Sequence, residues 1–195
     1  MIRLVLIRHA ATAWNLARRI QGRSDIALCE EGRAAAAAWT LPAPYADARL
    51  VSSPLVRAVE TARLVSGREP EIEPRLAEMN WDTWEGRTLG EMRRELGEAM
   101  VENEARGLDF RPGGGESPRD VQARVAPWLA EVARDGRTTV ALTHRGVIRA
   151  ITAVAYNWDM TGEPPVEIAM GTAYLFDPDA DGQPVRGGEP LSLLG

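Results

Sequence analysis

Three largely apolar runs in this chain each end in a polar pair. Ile2–Ile7 leads into Arg8-His9, Arg49–Ser52 into Ser53-Pro54, and Thr138–Thr143 into His144-Arg145. Short apolar runs bounded by polar turns read as buried strands of a parallel sheet, and ligands bind such sheets just beyond the strands' carboxyl ends. Both histidines of the chain therefore fall on one sheet edge. Between the strands the spacing becomes helical. An alanine-rich helix is predicted over Glu31–Trp39, and another over Pro54–Ser66 with Leu55, Ala58, Val59, Ala62 and Val65 on one face. Ser53 at the cap and Pro54 in the first turn place Arg57 near the positive end of that second helix. Three strand exits then gather two imidazoles and at least two guanidiniums, a cluster suited to a phosphoryl group.

The middle of the chain, about residues 74–116, is less regular and rich in Glu, Arg, Met and Trp. It reads as an insertion with two short helices near Leu89–Leu96 and Glu98–Arg106, closed by Gly113-Gly114-Gly115 as a flexible hinge. Ser117 through Asp120 caps the next helix, whose apolar positions Val121, Val125, Trp128, Leu129 and Val132 keep helical spacing, with a kink expected at Pro127. A last helix is expected from about Val147 to Tyr156, and late edge strands at Ala173–Asp177 and Pro190–Leu194. Strands separated by helices predict an α/β fold of three layers, α/β/α, with a mostly parallel central sheet and the helical insertion mid-chain. With 195 residues and 45% hydrophobic composition, the chain is sized for a single domain over 1–195.

Composition narrows the function. Cys29 is the one cysteine, which excludes an internal disulfide, and Arg3 and Arg8 break up the apolar start in a way foreign to a signal peptide. No stretch approaches the roughly 20 apolar residues of a membrane span, so a cytoplasmic protein without a membrane partner is expected. A net charge of -5 with no basic block gives no reason to expect nucleic acid. All 23 basic residues are arginine. The absence of lysine removes Schiff-base chemistry and the phosphate-binding lysine of a P-loop. It also means that an arginine at any one site says little by itself; position must carry the inference.

The motifs resemble those of the histidine phosphatase superfamily, also called phosphoglycerate mutase-like. The resemblance lies in Arg8-His9-Ala10-Ala11-Thr12 after the first strand, Trp14-Asn15, Gln21-Gly22, Asp25 through Leu28 leading to Glu31-Gly32, and Ser52 through Ala58 with Glu60-Thr61-Ala62. It continues in Leu76-Ala77-Glu78, Trp84-Glu85-Gly86, Gly115-Glu116-Ser117 and Thr143 through Arg149. These span residues 4 to about 150 in the family's order. Three departures stand out: Ala10-Ala11 where Gly-Glu is usual, Arg145 where a glycine is common, and Asp82 where a glycine often precedes Trp-Glu-Gly. The first removes an acidic side chain and makes the pocket more positive.

The resemblance implies a phosphohistidine on His9, with Arg8, Arg57 and His144 on the phosphoryl oxygens, Asn15 and Gln21 assisting, and Glu78 as the acid. Phosphoryl transfer requires charge neutralisation, an in-line nucleophile and a proton for the leaving oxygen, and these residue types supply all three. Like charges on Arg8 and Arg57 are expected to keep His9 neutral. Glu85 competes with Glu78 for the acid role. Trp81 and Trp84 read as packing, and Cys29 as structural. The leading expectation is a phosphatase for small-molecule phosphomonoesters that needs neither cofactor nor metal. Phosphoglycerate mutase is the first alternative, disfavoured by the compact middle segment, and a catalytically weak phosphate-binding module is the second. A metallohydrolase fits poorly, because two histidines beside arginines repel cations. Substrate identity stays open, with sugar phosphates, phosphoglycerate, a nucleotide-like phosphate and phosphoprotein all fitting. Oligomeric state stays open too, with a homodimer among the options.

Overall fold

The computed structural model describes residues 3–194, so Ile2, expected to open the first strand, lies outside the described residues. The sheet contains β1 (Leu4–Arg8), β2 (Arg49–Ser52), β3 (Glu71–Ile72), β4 (Thr139–Thr143), β5 (Thr172–Pro178), β6 (Pro184–Arg186) and β7 (Leu191–Ser192). Its order is β3-β2-β4-β1-β5-β6, with β7 added against β5. The first four strands run parallel, whereas β5 is antiparallel to β1 and pairs antiparallel with β6 and β7.

Alternation along each strand builds the two outer layers, because successive side chains point to opposite faces of a sheet. Leu4 and Leu6 of β1 join Val51, Ala141, Tyr174 and Phe176 in a core closed by α6 (Pro118–Asp135) and α7 (Arg145–Ala155). Val5 and Ile7 join Leu50, Val140, Leu142 and Leu175 in a second core closed by α2 (Glu30–Ala38) and α3 (Val56–Ser66). The same parity sends Arg8 toward the α6–α7 side and His9 toward the α3 side. Each fully buried Leu, Ile or Val in these cores is worth roughly 1.5–3 kcal/mol relative to exposure. The two layers thus anchor β1 and β4 firmly below the edge that carries the histidines.

The middle segment has its own small core of Ile20, Trp84, Met92 and Met100, flanked by Trp81 and Phe110. Its helices are α4 (Leu89–Leu96) and α5 (Glu98–Glu104), close to expectation. A capping box of Thr88 and Glu91 starts α4, and one of Ser117 and Asp120 starts α6. Pro127 sits inside α6.

Several expectations change. The glycine run is packed against its neighbours: a Cβ at Gly115 would lie 2.2 Å from the Asn80 carbonyl oxygen, and the Gly114 N–H donates to Asp82. Helix α3 starts at Val56, with Leu55 as its cap. The Ser53 hydroxyl accepts from the Leu55 N–H but is also engaged by His144. Helix α7 starts two residues earlier than Val147. Strands β3 and β6 carry no period-2 apolar signal and were not anticipated.

Candidate active site

Strand register brings the two histidines together. Arg8 pairs with Thr143 across β1 and β4, and the His9 N–H donates to the Thr143 carbonyl at 3.0 Å. The chain then leaves both strands side by side, and the His9 and His144 rings lie 5.2 Å apart between centroids. Strand β2 exits next to β4, with the Ser53 N–H donating to the Leu142 carbonyl. The Ser53 hydroxyl thereby reaches His144 Nε2 at 2.7 Å.

His9 is 3% exposed and its Nδ1 lies 2.7 Å from the Ala10 carbonyl oxygen. A carbonyl only accepts, so Nδ1 carries the proton and Nε2 presents its lone pair. Burial holds the His9 pKa well below the ordinary histidine value, with Arg57 as the next cause and Arg8 a smaller one. The like-charge effect expected from the sequence is present, but desolvation outweighs it. His144, fully buried, is lowered for the same reasons, burial first and Arg57 second.

Arg57 is fully buried, with its two terminal nitrogens donating to the carbonyls of Ser24 (2.9 Å) and Gly22 (2.8 Å). Glu60, three residues further along α3, pairs with Arg33. Arg8 reaches the Ile168 carbonyl only at 3.5 Å. Three buried donor-capable nitrogens have no partner at this edge: Arg8 Nε, Arg57 Nε and His144 Nδ1. An unpaired buried polar group costs about 1–3 kcal/mol, so this edge is costly to the fold as it stands.

Asn15 and Gln21 are tied to each other through Thr12. The Thr12 hydroxyl lies 3.1 Å from Asn15 Oδ1 and 3.0 Å from Gln21 Oε1, and Thr12 and Asn15 form the capping box of the one-turn helix α1 (Ala13–Leu16). Their side-chain carbonyl oxygens are engaged, which leaves each amide NH2 as a donor. Gln21 is joined to the Arg57 pocket by the neighbouring Gly22 carbonyl.

Glu78 arrives by a route the sequence did not show. Strand β3 pairs with β2, a turn at Pro74–Leu76 follows, and the Thr143 hydroxyl holds the Leu76 carbonyl at 2.8 Å. The Glu78 carboxylate, 9% exposed, accepts from the N–H of Met79 (2.8 Å) and of Gly146 (3.2 Å) in the first turn of α7. A Cβ at Gly146 would sit 2.4 Å from Glu78 Oε1, so glycine is required for this approach. Glu78 also opposes the effect of burial on both Arg8 and Arg57, which are lowered chiefly by desolvation. The competitor Glu85 is occupied elsewhere: its oxygens accept from the N–H groups of Arg23 and Ser24 at 2.7 Å and from the Ser24 hydroxyl at 2.6 Å. It clamps the loop that carries the carbonyl partners of Arg57.

Three residues with no assigned role in the sequence brace Glu78. Arg124 of α6 donates to the carbonyls of Arg75 and Ala77 and pairs with Glu116 at 2.8 Å. Arg23 donates to the Glu78 carbonyl at 2.8 Å and reaches Glu116 at 3.2 Å. Glu116 was visible only as part of Gly115-Glu116-Ser117; nothing local marked the two arginines.

Comparison with known proteins agrees with this geometry. The chain is 31% identical over 195 aligned residues to the 2,3-bisphosphoglycerate-dependent phosphoglycerate mutase 2 of Gloeobacter violaceus, covering 93% of this chain and 88% of that protein. It is 34% identical over 180 residues to the glucosyl-3-phosphoglycerate phosphatase of Mycolicibacterium vanbaalenii, covering 82% and 79%. The fold matches a mycobacterial glucosyl-3-phosphoglycerate phosphatase complexed with VO3 at a TM-score of 0.75 and 28% identity, covering 91% of this chain and 93% of that one. The mutase is similar in length to this chain, so a compact middle segment does not by itself separate mutase from phosphatase. The histidine phosphatase superfamily (branch 1) model matches residues 4–187. With Arg8-His9 and His144 meeting at the carboxyl edge of a sheet that this match spans, the chain belongs to the histidine phosphatase superfamily.

Proposed function

We propose that this protein is a phosphomonoesterase that hydrolyses small phosphorylated metabolites through a phosphohistidine on His9. The observation that carries the reading is the His9 imidazole, its Nδ1 against the Ala10 carbonyl, with the His144 ring 5.2 Å away and Arg57 and Arg8 acting on it as like charges. His9 Nε2 attacks phosphorus, the phosphorus–oxygen bond to the alcohol breaks, and Glu78 gives its proton to the leaving oxygen. Water then attacks the phosphohistidine with Glu78 accepting a proton, which releases phosphate and restores His9. Arg8, Arg57 and His144 hold the equatorial oxygens, each charge-assisted contact contributing about 1.5–3 kcal/mol, while the amide NH2 groups of Asn15 and Gln21 add neutral donors. No metal is called for, because the arginines already supply the positive charge that a cation would bring, and Glu78 is the carboxylate that acts on both Arg8 and Arg57.

Hydrolysis requires nothing beyond these groups and water. A mutase must in addition hold its product over the phosphohistidine and return the phosphoryl group before water intervenes. That second reading is favoured by the similarity to the Gloeobacter violaceus mutase. The test is twofold. His9→Ala should lower turnover by about a thousandfold or more, the scale on which loss of a covalent nucleophile is felt, with the fold intact. Wild-type protein, briefly incubated with substrate and quenched without acid, should carry phosphate on His9. Near-normal turnover in the variant ends the phosphohistidine reading, and formation of 2-phosphoglycerate from 3-phosphoglycerate faster than phosphate release favours the mutase.

A further inference from the structure

The two histidines are held by neighbours of opposite hydrogen-bonding character. His9 Nδ1 meets a carbonyl oxygen, that of Ala10, at 2.7 Å, whereas His144 Nε2 meets a hydroxyl, that of Ser53, at 2.7 Å. A neutral imidazole has one N–H and one bare nitrogen, and the partner of either nitrogen decides where the proton sits. For His9 the carbonyl can only accept, so the proton is on Nδ1. For His144 the answer depends on which way the Ser53 hydroxyl points.

Ser53 is fully buried, and its Oγ already accepts from the Leu55 N–H at 3.3 Å. Were His144 Nε2 to donate as well, the hydroxyl proton would be buried with no acceptor among the described residues, because Oγ has no further partner there. An orphaned buried donor is among the costlier features a fold can carry. Turning the hydroxyl toward Nε2 removes it: Oγ accepts from Leu55 and donates to His144, and the imidazole proton sits on Nδ1. The ring stays neutral because burial, and after it Arg57, keeps the His144 pKa well below the ordinary value. Backbone pairing fixes the arrangement, since the Ser53 N–H donates to the Leu142 carbonyl at 2.9 Å, two residues before His144. His144 Nδ1 is itself buried without a partner among the described residues, on a ring whose centroid is 5.2 Å from that of His9. An N–H at that place lacks an acceptor in the chain, and a phosphoryl oxygen on His9 is the acceptor that the proposed mechanism brings.

We infer that Ser53 is a positioning residue that makes His144 an Nδ1–H donor to the phosphoryl group on His9, so that two adjacent imidazoles take opposite roles, one offering a lone pair and the other a proton donor. The donor role rests on the phosphohistidine reading; the tautomer does not. Ring-nitrogen NMR of 15N-histidine-labelled protein at mildly alkaline pH reads the tautomers directly. With two histidines in the chain, comparison with His9→Ala assigns the signals. The wild type should show a protonated Nδ1 and a bare Nε2 on both rings. Ser53→Ala should move the His144 proton to Nε2, wholly or in part, and leave His9 as it was. The same variant should lower kcat/KM by about tenfold or more, towards the roughly hundredfold that follows loss of a donor to a developing oxyanion. The factor should be the same on p-nitrophenyl phosphate and glycerol 3-phosphate, because a donor to the phosphoryl oxygens is indifferent to how readily the alcohol leaves. A protonated Nε2 on His144 in the wild type, an unchanged tautomer in Ser53→Ala, or a shift of both rings overturns the inference and leaves the phosphatase reading standing. So does a moved proton with kcat/KM within about threefold of the wild type, or a loss confined to glycerol 3-phosphate. The expected tautomers in a protein that never carries phosphate on His9 overturn the phosphohistidine reading and the donor role with it.

Discussion

The two ends of the sheet treat arginine in opposite ways. At the amino end Arg3 pairs with Asp177 at 2.6 Å, and Arg49 pairs with Glu71 at 2.6 Å and Asp135 at 3.4 Å. At the carboxyl end Arg8 and Arg57 have only backbone carbonyls, and each keeps a buried Nε without a partner. Burying a guanidinium without a carboxylate is expensive, whereas exposed ion pairs are worth little either way. A chain whose basic residues are all arginine cannot signal its site by residue type, so the difference must lie in partners. The carboxyl end holds its buried cations on backbone carbonyls, with carboxylates such as Glu78 acting on them without an ion pair, whereas the amino end pairs its arginines directly.

The largest break in this contrast comes from Glu78, the carboxylate that acts on both Arg8 and Arg57. Glu78→Gln keeps the shape and an acceptor for one of the two N–H donors, Met79 or Gly146, but its NH2 can neither accept from the other nor pass a proton. It should lower turnover by about a hundredfold on alkyl phosphates, within the range for loss of a general acid. On p-nitrophenyl phosphate, whose leaving oxygen scarcely needs protonation, the loss should be several-fold at most. Steady-state rates on both substrates decide it. An equal loss on the two would remove Glu78 from the proton path.

The contrast was partly legible in the sequence. Strands β1, β2 and β4 announce themselves because an apolar run stops at a histidine or serine, and the exits alone predicted that His9, His144 and the Ser53 turn would meet. Strand β3 could not be read: Glu71 and Ile72 are both exposed, and the backbone ladder to Val51 and Ser52 places them. Since β3 delivers Glu78, its proposed role as the acid came only from the resemblance, and the hydrogen bonds of the Glu85 oxygens to Arg23 and Ser24 could not be read from the sequence. The start of α7 was set late because His144 caps it without a side-chain hydrogen bond, so the usual cap signal is missing. Arg23, Arg124 and Glu116 act through partners dozens of residues away in the chain, at separations no local period encodes.

A smaller effect separates the two ends by pH. The folded chain keeps His9 and His144 neutral, with pKa values depressed well below the ordinary one. The unfolded chain protonates both near pH 6.5. Below that pH the unfolded state binds more protons, so stability should fall as pH falls, by up to about 1.4 kcal/mol per histidine per pH unit. The carboxylates of the ion pairs, lowered by their arginines, add their own loss only below about pH 4.5. Between pH 6.5 and 5 the slope therefore reports the carboxyl end alone. Urea midpoints across that window should trace it, and His144→Gln should halve the slope. A flat profile in the wild type would mean that the rings are protonated in the fold.

The smallest effect is expected at the amino end. Arg49→Gln removes the pairs to Glu71 and Asp135, which lie on side chains that are 56% and 31% exposed. Exposed pairs of this kind contribute about 0–1 kcal/mol, so the urea midpoint should move little and the difference should shrink in high salt. The pair also lies beside β3, the strand that leads to Glu78. Its register does not depend on Arg49, because Val51 and Ser52 pair with Glu71 and Ile72 through the backbone and the Glu73 N–H donates to the Ser52 carbonyl at 2.9 Å. Turnover should therefore stay within about twofold of the wild type, the scale of a surface change that touches no substrate. A tenfold loss would show that the ion pairs at the amino end hold the acid in place, and that the two ends of the sheet are not independent.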